Sequence, residues 1–224
     1  MSVIESFPLG DFAVSWKVAD SISSDSTRRV LACYRALQNC THSFKEAILD
    51  TVPTYLSVTV YFKETADIDE SVHSVDSFLR ELDIAALAEK EKSGTGSVTE
   101  IPVEYTGPDL KRVADIHGLS VEEVIEKHSG ADYQVAMIGF KPHFPYLIGL
   151  PADLETPRLE TPRTSVPAGA VAVGGAQTGI YPEVSPVGWN LLGMTDPELL
   201  KTLSPGDRVR FRPTDRNQGE SLCL

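Results

Sequence analysis

The 224-residue sequence has few cysteines, a shortage of basic residues and no long apolar run. The three cysteines, Cys33, Cys40 and Cys223, form no CxxC pair, which excludes a disulfide framework and a zinc site of the usual spacing. We therefore expect reduced thiols and a cytoplasmic location. No apolar run approaches the roughly 20 residues of a membrane helix, and residues 1–12 lack the basic flank of a secretory signal.

The charge balance argues against nucleic acid as a partner. Against 20 lysines and arginines stand 32 aspartates and glutamates, a formal net charge of -12 that repels phosphate backbones. The acidic excess is uneven, because residues 139–213 carry seven acidic and seven basic side chains. That region can present an uncharged or locally basic groove to a ligand.

The first part of the chain alternates between strand and helix patterns. Residues 12–18 and 56–62 alternate apolar and polar positions, as half-buried strands do. Residues 30–37 and 72–82 place apolar side chains at helical spacing, and residues 47–52 suggest one more strand. The order β-α-β-β-α predicts an α+β fold with a small split-βαβ domain over residues 1–97. The small residues at 93–97 (SGTGS) predict a linker.

The second part is predicted to be mainly β. A strand over residues 98–105 precedes a short helix from Asp109 to His117, and Ser120 with Glu123 makes a capping box for another helix ending near His128. Eight of the 15 prolines and eight of the 16 glycines then fall within residues 139–193. Such density excludes long helices and favours short strands joined by rigid turns, so we predict a β-barrel domain over residues 98–224.

Standard catalytic motifs are missing from the sequence. The glycine-rich residues 174–179 (GGAQTG) lack the G-K-[ST] of a P-loop and are interpreted as a tight turn with close backbone approach. The five histidines show no HExxH or HxH spacing, so we expect no metal site. The G-x-S-x-G elbow of serine hydrolases is also missing.

Residues 139–195 contain the candidates for ligand binding. Arg158 and Arg163 each follow a proline, and guanidinium forks suit carboxylates or phosphates. The alternative is that one or both arginines pair with Glu155, Glu160 or Glu183 at the surface. Prolines and aromatic residues at 142–146 and polar groups beside the glycine turn complete the predicted pocket. The candidate binding residues are Pro142, Arg158, Arg163, Gln177, Thr178 and Tyr181.

Two histidines are candidates for proton transfer. His128 ends a predicted helix, where a cation would complement the helix dipole, so a structural cap competes with a catalytic role. His143 lies in the proline-aromatic loop and could act as a base or donor. Trp189, and equally Tyr181, can be core residues of the barrel.

Four motifs bring a resemblance to a known family. They are G-F-x-P-x-F-P-Y-L from Gly139, T-P-R-x-x-x-P-R-x-x-V-P-A-G from Thr156, Q-T-G-I-Y-P from Gln177 and G-W-N-L-L-G from Gly188. In combination they resemble the allophanate hydrolase subunit 1 family, which includes the B subunit of bacterial ATP-dependent 5-oxoprolinase and a sporulation-kinase inhibitor. The resemblance implies a cyclophilin-like β-barrel after the small N-terminal domain.

The resemblance also implies a function and partners. We expect a subunit, inactive alone, of a complex that opens 5-oxo-L-proline to L-glutamate while hydrolysing ATP, its co-substrate. The implied partners are a homologous subunit 2 and a third, lactam-handling subunit. An arginine pair at Arg158 and Arg163 would then hold the substrate carboxylate or the transferring phosphate.

Two alternatives stay open within the same resemblance. One is the subunit 1 half of a biotin-dependent urea carboxyltransferase. The other is an inhibitor of a sensor histidine kinase, which needs an exposed apolar patch such as Phe144, Tyr146, Leu147 and Ile148. Three departures from the family pattern bear on the substrate: His143 and Val187 stand where glycine is usual, and Met194 where a basic residue is usual.

Overall fold

A computed structural model of the chain describes residues 5–92 and 98–214. The chain divides into two compact units, Met1–Thr95 and Gly96–Leu224. The linker predicted at residues 93–97 lies outside the described residues, as does Cys223. Within the described parts, no helix combines the length and the apolarity needed to cross a membrane.

The N-terminal unit packs three helices with a four-stranded sheet. Its elements are β1 Glu5–Pro8, β2 Ala13–Lys17, α1 Ser24–Asn39, a 3-10 helix Ser43–Ala47, β3 Ile48–Pro53, β4 Ser57–Phe62, α2 Ile68–Glu81 and α3 Ile84–Lys92. The strand order is β1-β2-β4-β3, and every neighbouring pair is antiparallel. Because β2 and β3 both run opposite to β4, they share a direction with β4 between them, which confirms the predicted split-βαβ arrangement.

The N-terminal core follows the predicted periodicity. Val14 and Trp16 of β2, and Val18 directly after it, pack in this core with Val58 and Val60 of β4. Helix α1 begins after Ser23, whose side chain accepts a hydrogen bond from the backbone of Ser26 in a capping box. Cys33 and Cys40, the latter at the C-cap of α1, are free thiols, and both pack with this core.

Besides the short 3-10 helix, one strand and one α-helix of this unit are absent from the prediction. Strand β1 is exposed at all four positions, so it lacks the apolar alternation that marks a half-buried strand. Helix α3 follows α2 after only two residues and buries just Ile84 and Ala88, so its pattern merges with that of α2. Both were missed because their apolar signal is weak.

The C-terminal unit is the predicted barrel with two helices. Its elements are β5 Val98–Val103, α4 Leu110–His117, α5 Val121–Gly130, β6 Tyr133–Ile138, β7 Pro145–Ile148, β8 Arg163–Val166, β9 Ala170–Gly174, β10 Gln177–Ile180, β11 Ser185–Val187, β12 Asn190–Met194 and β13 Arg208–Pro213, with 3-10 helices at Ala152–Leu154 and Pro197–Thr202. Seven strands form a sheet in the order β12-β9-β10-β7-β6-β13-β5, and β8 pairs with β11 separately.

The seven-stranded sheet almost closes on itself. Just past the end of β5, Glu104 exchanges two backbone hydrogen bonds of 2.9 Å with Met194 at the end of β12. The two edge strands therefore meet at one end, which leaves little free edge there. The barrel interior and the adjoining helices share one apolar core, which includes Ile101, Leu147 and Phe211.

The helices of this unit begin and end as predicted. Ser120 and Glu123 make both hydrogen bonds of the capping box at α5, of 2.7 and 3.1 Å. Gly118 closes α4 with a left-handed backbone, φ 65°. The tight turn predicted within residues 174–179 is present: Gly175, at φ 63°, and Ala176 join β9 to β10.

Candidate functional site

Residues from all four motifs surround one pocket of about 270 Å³ in the C-terminal unit, and three of the motifs supply aromatic side chains. Its lining comprises Phe140, Phe144, Tyr146, Arg158, Leu159, Pro162, Tyr181, Pro186, Gly188 and Trp189. Two larger depressions, of about 650 and 470 Å³, lie on the N-terminal unit and contain none of the motif residues. The convergence of distant sequence segments marks the smaller pocket as the candidate site.

The rings of the pocket pack edge to face. Phe144 lies 4.7 Å from Tyr146 and 4.8 Å from Tyr181, measured between ring centroids. Trp189 lies 6.0 Å from Tyr146 and 6.1 Å from Phe144. These are the separations preferred by aromatic pairs, so each ring is restrained by its neighbours. Trp189 and Tyr181 thus belong to the core, as one interpretation predicted, and line the pocket as well.

Two glycines leave room for Trp189 to pack against the barrel wall. A Cβ on Gly174 would lie 2.5 Å from Trp189 Cδ1, so no larger residue fits there while the ring stays in position. A Cβ on Gly179 would lie 3.0 Å from Phe144 Cζ and 3.1 Å from Trp189 Cζ3. The indole therefore packs on backbone, which explains the glycines predicted to allow close approach.

The guanidinium of Arg158 is the cationic group in the pocket lining. Its Cζ atom lies 5.9 Å from the centroid of the Trp189 ring, within range of a cation–π interaction. The residue is exposed, and within residues 5–92 and 98–214 no hydrogen bond or ion pair engages its guanidinium. Burial raises the pKa of Tyr181 and of Tyr146, so both phenols stay neutral beside the arginine at physiological pH. The guanidinium is free to bind an anion.

Arg163 has a different environment from Arg158. Its Nη2 donates to Asp109 Oδ1 at 2.7 Å, and Asp109 is buried. The other carboxylate oxygen, Oδ2, accepts from the backbone N–H of Leu191 at 2.7 Å. Arg163 is absent from the pocket lining, so the predicted arginine pair is not formed. The predicted alternative, pairing with Glu155, Glu160 or Glu183, is also wrong for Arg163, because Asp109 takes that place.

Two further candidates lie in the barrel interior. The Oγ1 of Thr178 donates its single hydrogen to Ala172 O at 2.9 Å, and His128 Nε2 lies 3.0 Å from the same oxygen. The ring nitrogen must therefore be the donor, which leaves Nδ1 to accept from the hydroxyl of Tyr105 at 2.7 Å. Neither residue has exposed surface, so the structure corrects the assignment of Thr178 as a binding residue and that of His128 as a proton-transfer residue.

Burial also changes the expected charge of His128. Desolvation lowers the pKa of His128 to about 3, so the imidazole is neutral at physiological pH. It stacks on Phe211 at 4.6 Å between centroids. The prediction that His128 is a cation at the end of a helix is therefore wrong: it is a neutral, fully hydrogen-bonded residue of the core.

The remaining candidates do not line the pocket. Pro142 and His143 are exposed in the loop between β6 and β7, and Gln177 begins β10 half-buried. Of the departures from the family pattern, Val187 is buried in β11, and Met194 lies where the barrel closes. None of these five residues belongs to the pocket lining.

The loop between β6 and β7 is held in a strained conformation. Phe140 and His143 have φ of 66° and 65°, the left-handed region that glycine favours. Lys141 Nζ ties this loop to the one before β11 through Glu183, at 2.6 Å, and Val184 O, at 3.3 Å. In this conformation Phe140 lies at the pocket rim, and the residue is 57% exposed.

The apolar patch predicted for an inhibitor is not on the surface. Phe144, Leu147 and Ile148 are buried, and Tyr146 is half-buried between aromatic neighbours. The exposed apolar residues near the pocket are instead Phe140 and Val184. That patch is therefore a wrong prediction, because β7 faces the barrel core and the aromatic cluster.

Comparisons with known sequences agree with the motifs. Residues 4–205 match the family described as carboxyltransferase domain, subdomain C and D. The B subunit of 5-oxoprolinase from Escherichia coli O157:H7 is 34% identical over 225 aligned positions, 96% of each chain. The B subunit of 5-oxoprolinase from Haemophilus influenzae is 38% identical over 214 positions, covering 91% of this chain and 95% of that protein.

Solved structures share the fold. The crystal structure of TTHA0988 matches 92% of this chain with a TM-score of 0.75 and 36% identity, and the match spans 40% of the TTHA0988 chain. The urea amidolyase of K. lactis matches 96% of this chain with a TM-score of 0.68, over 15% of its own length. At 16% identity, the second match is evidence of a shared fold alone.

Proposed function

This chain belongs to the family of carboxyltransferase domains, subdomains C and D, of the allophanate hydrolase subunit 1 type, and on that premise we propose that it is a subunit of an ATP-dependent 5-oxoprolinase. Relatives named as the B subunit of 5-oxoprolinase match it over nearly its whole length, which supports the proposal. In the proposed reaction, the complex opens the lactam ring of 5-oxo-L-proline and releases L-glutamate.

One observation connects the proposed function to particular residues. Arg158, whose guanidinium makes no hydrogen bond or ion pair with the described residues, lies at the rim of a small aromatic pocket. 5-Oxo-L-proline is a five-membered ring with a single carboxylate. A volume of about 270 Å³ lies at the lower limit of pockets for drug-sized ligands, so it suits such a small molecule. Arg158 would bind the carboxylate through paired, charge-assisted hydrogen bonds, while the aromatic rings contact the ring carbons.

ATP supplies the driving force in the proposed reaction. The lactam is a resonance-stabilised amide, and transfer of the γ-phosphoryl group to its oxygen would convert that oxygen into a leaving group. One water would then add to the ring carbon, and cleavage of the ring C–N bond with proton transfer to the nitrogen would leave γ-glutamyl phosphate and the ADP already released. A second water would hydrolyse this acyl phosphate to glutamate and phosphate. One guanidinium does not match the charge of a triphosphate, so we propose that ATP binds where partner subunits contribute residues.

The proposed partners are a homologous subunit 2 and a third, lactam-handling subunit. The match to TTHA0988 spans two fifths of that chain, so in TTHA0988 this domain is covalently joined to further protein. The sequence relatives are each named as the B subunit of an enzyme, which also implies companion subunits. Both observations support a site shared between chains.

The experiment measures glutamate release from 5-oxo-L-proline and ATP. The purified chain is assayed alone and after addition of the two proposed partner subunits. We expect activity only in the mixture, and Arg158→Ala should lower kcat/KM for 5-oxo-L-proline by about 100-fold or more because it removes a bidentate contact to the carboxylate. Arg158→Lys should recover part of the loss, since it restores the charge without the fork.

Arg210→Ala is the matched control. Arg210 is an exposed arginine of the same unit, paired with Asp132 on the barrel surface, so its removal should leave turnover unchanged. An inactive mixture of folded subunits would refute the 5-oxoprolinase proposal. Equal activity of Arg158→Ala and wild type would remove Arg158 from the substrate site.

A further inference from the structure

Asn190 connects the segment that carries Arg158 to the wall of the barrel. It lies in β12 directly after Trp189 and has no exposed surface. Its Nδ2 donates to Pro157 O at 3.0 Å and to Val173 O at 3.3 Å. The Asn190 amide therefore joins Pro157, the residue before Arg158, to strand β9. This link lies beside the Trp189 indole, over which the Arg158 guanidinium lies.

A second residue fixes the orientation of that amide. Arg112 of α4 donates its Nε–H to Asn190 Oδ1 at 3.1 Å. The carbonyl side of the amide is thus occupied, so the two N–H groups are directed at Pro157 O and Val173 O. A flipped amide would place oxygen against two carbonyl oxygens and leave the Arg112 donor facing another donor. The three hydrogen bonds are mutually consistent and specify one orientation.

The segment from residue 156 to residue 163 is also held on either side of Arg158. Thr156 and Gly175 exchange backbone hydrogen bonds of 3.3 and 2.8 Å, and Leu159 N donates to Gly188 O at 2.7 Å. At the far end, Arg163 binds Asp109. Two of these contacts are made by the neighbours of Arg158, through Pro157 O and Leu159 N. Of the two, the bond to Pro157 O is the one that a side chain donates.

We propose that Asn190 is the positioning residue for Arg158: it holds the backbone at Pro157 so that the guanidinium lies over Trp189 and faces the pocket. A buried amide in an apolar strand is costly unless its hydrogen bonds are satisfied, and here the satisfied bonds lead to the arginine. Asn190 does not line the pocket, so it acts through Arg158 and does not touch a ligand. Its expected effect on turnover rests on the proposed function, whereas its effect on geometry does not.

The test uses the NMR signal of the Arg158 Nε–H group in the full chain. A guanidinium over an indole face experiences the ring current, so this proton should resonate upfield of the other arginine signals. Arg158→Lys identifies the signal by removing it. Asn190→Asp is nearly isosteric and keeps an acceptor for Arg112, but it cannot donate to Pro157 O. We expect the upfield shift to be lost in Asn190→Asp.

Val135→Ala is the control for general destabilisation, because Val135 is a fully buried core residue of β6 with no part in these bonds. It should lower the melting temperature and leave the Arg158 signal in place. If the buried carboxylate of Asn190→Asp prevents folding, Asn190→Ser serves instead, since its shorter hydroxyl cannot reach Pro157 O. Retention of the upfield shift in either folded Asn190 variant would overturn the proposal.

Kinetics of the reconstituted complex separate positioning from general damage. With saturating ATP, Asn190→Asp should raise KM for 5-oxo-L-proline about tenfold and change kcat much less, because it weakens substrate binding through Arg158. A fall in kcat with unchanged KM would contradict the assignment. If the complex shows no 5-oxoprolinase activity at all, the proposed function fails, while the NMR result still decides the role of Asn190.

Discussion

At the scale of single residues, His143 has the backbone of a glycine and the side chain of a histidine. A left-handed conformation costs a residue with a Cβ about 1–2 kcal/mol, and the exposed imidazole has no hydrogen bond among the described residues to offset it. The resemblance to the family puts glycine at this position, in agreement with the φ of 65°. His143 therefore stores strain in the loop that presents Phe140.

We predict that His143→Gly raises the free energy of unfolding by up to about 1 kcal/mol, since relief of strain exceeds the added chain entropy. Urea denaturation of both proteins measures the difference. His143→Ala is the matched comparison: alanine removes the imidazole but keeps the Cβ, so no such gain is expected. Equal gains from both variants would show that the imidazole, and not its backbone, is the source of strain.

His128 makes the stability of the molecule depend on pH. In the folded chain the pKa of His128 is lowered from 6.5 to about 3 by burial, whereas the unfolded chain titrates near 6.5. Between these values the unfolded state binds one more proton, so stability is fully present above pH 6.5 and is lost as the pH falls. The slope from one such group is at most about 1.4 kcal/mol per pH unit.

We expect the free energy of unfolding to fall between pH 6.5 and pH 5 more steeply in the wild type than in His128→Gln. Glutamine retains hydrogen-bonding groups but has no titrating ring. The substitution therefore removes the contribution of His128 to the pH dependence, even if it also lowers stability by a constant amount. Chemical denaturation at a series of pH values measures the two slopes. Parallel slopes would show that His128 is protonated in the folded chain.

At the scale of elements, the pocket depends on the turn from β9 to β10. Gly174 leaves room for the Trp189 indole, and Gly175 supplies the positive φ of the turn. Gly174→Ala should displace Trp189, cost about 1–3 kcal/mol and abolish ligand binding at the pocket. Gly175→Ala has nothing within 4 Å of its Cβ, so it should cost about 1 kcal/mol of strain and leave Trp189 in place.

Tryptophan fluorescence in a Trp16→Phe background distinguishes these two variants. We expect the emission maximum of Trp189 to move to longer wavelength in Gly174→Ala, because the displaced indole meets water, and to stay unchanged in Gly175→Ala. If the two variants have comparable melting temperatures, a difference in emission reports the position of the indole and not a loss of stability. An unchanged spectrum in Gly174→Ala would mean that β9 moves and the indole does not.

The sequence predicts those elements whose signals are local. Alternation at β2 and β4, the Ser120–Glu123 capping box and the glycine turn each depend on a few neighbouring residues, and all are present in the structure. Asp109 was predicted only to open a helix, but its carboxylate binds Leu191 N and Arg163, far away in sequence. No local pattern contains that information.

The candidate site was predicted in part for the same reason. Proline and aromatic density located the loops, and Arg158 and Tyr181 do line the pocket. Thr178 and Arg163 were assigned by residue type, but the barrel turns the first inward and Asp109 engages the second. Asn190 was overlooked, although a lone amide among apolar residues in W-N-L-L was a usable signal, since a buried amide requires partners.

At the scale of the whole molecule, each unit contains its own core. The buried residues of the N-terminal core fall between Val14 and Ile84, and those of the two C-terminal clusters between Ile101 and Phe211. The pocket and the residues that hold Arg158 all belong to the second unit. Within residues 5–92 and 98–214, the lining of the site thus comes from the second unit.

We predict that a fragment of residues 96–224 folds on its own and keeps Arg158 over Trp189. The upfield Arg158 signal and a cooperative thermal transition are the two measurements, with the full chain as reference. Asn190→Asp in the fragment should remove the signal as it does in the full chain. An unfolded fragment would show that the barrel core needs the N-terminal unit.

The anchoring of residues 156–163 has an evolutionary consequence. Because the backbone is fixed by Asn190, Gly175 and Gly188, the side chain at position 158 can change without rebuilding the scaffold. A substitution at this position can thus alter the charge offered to a ligand, whereas a change at Arg163 would leave buried Asp109 without its cationic partner. Lineages that adopt new substrates should therefore vary at 158 before they vary at 163.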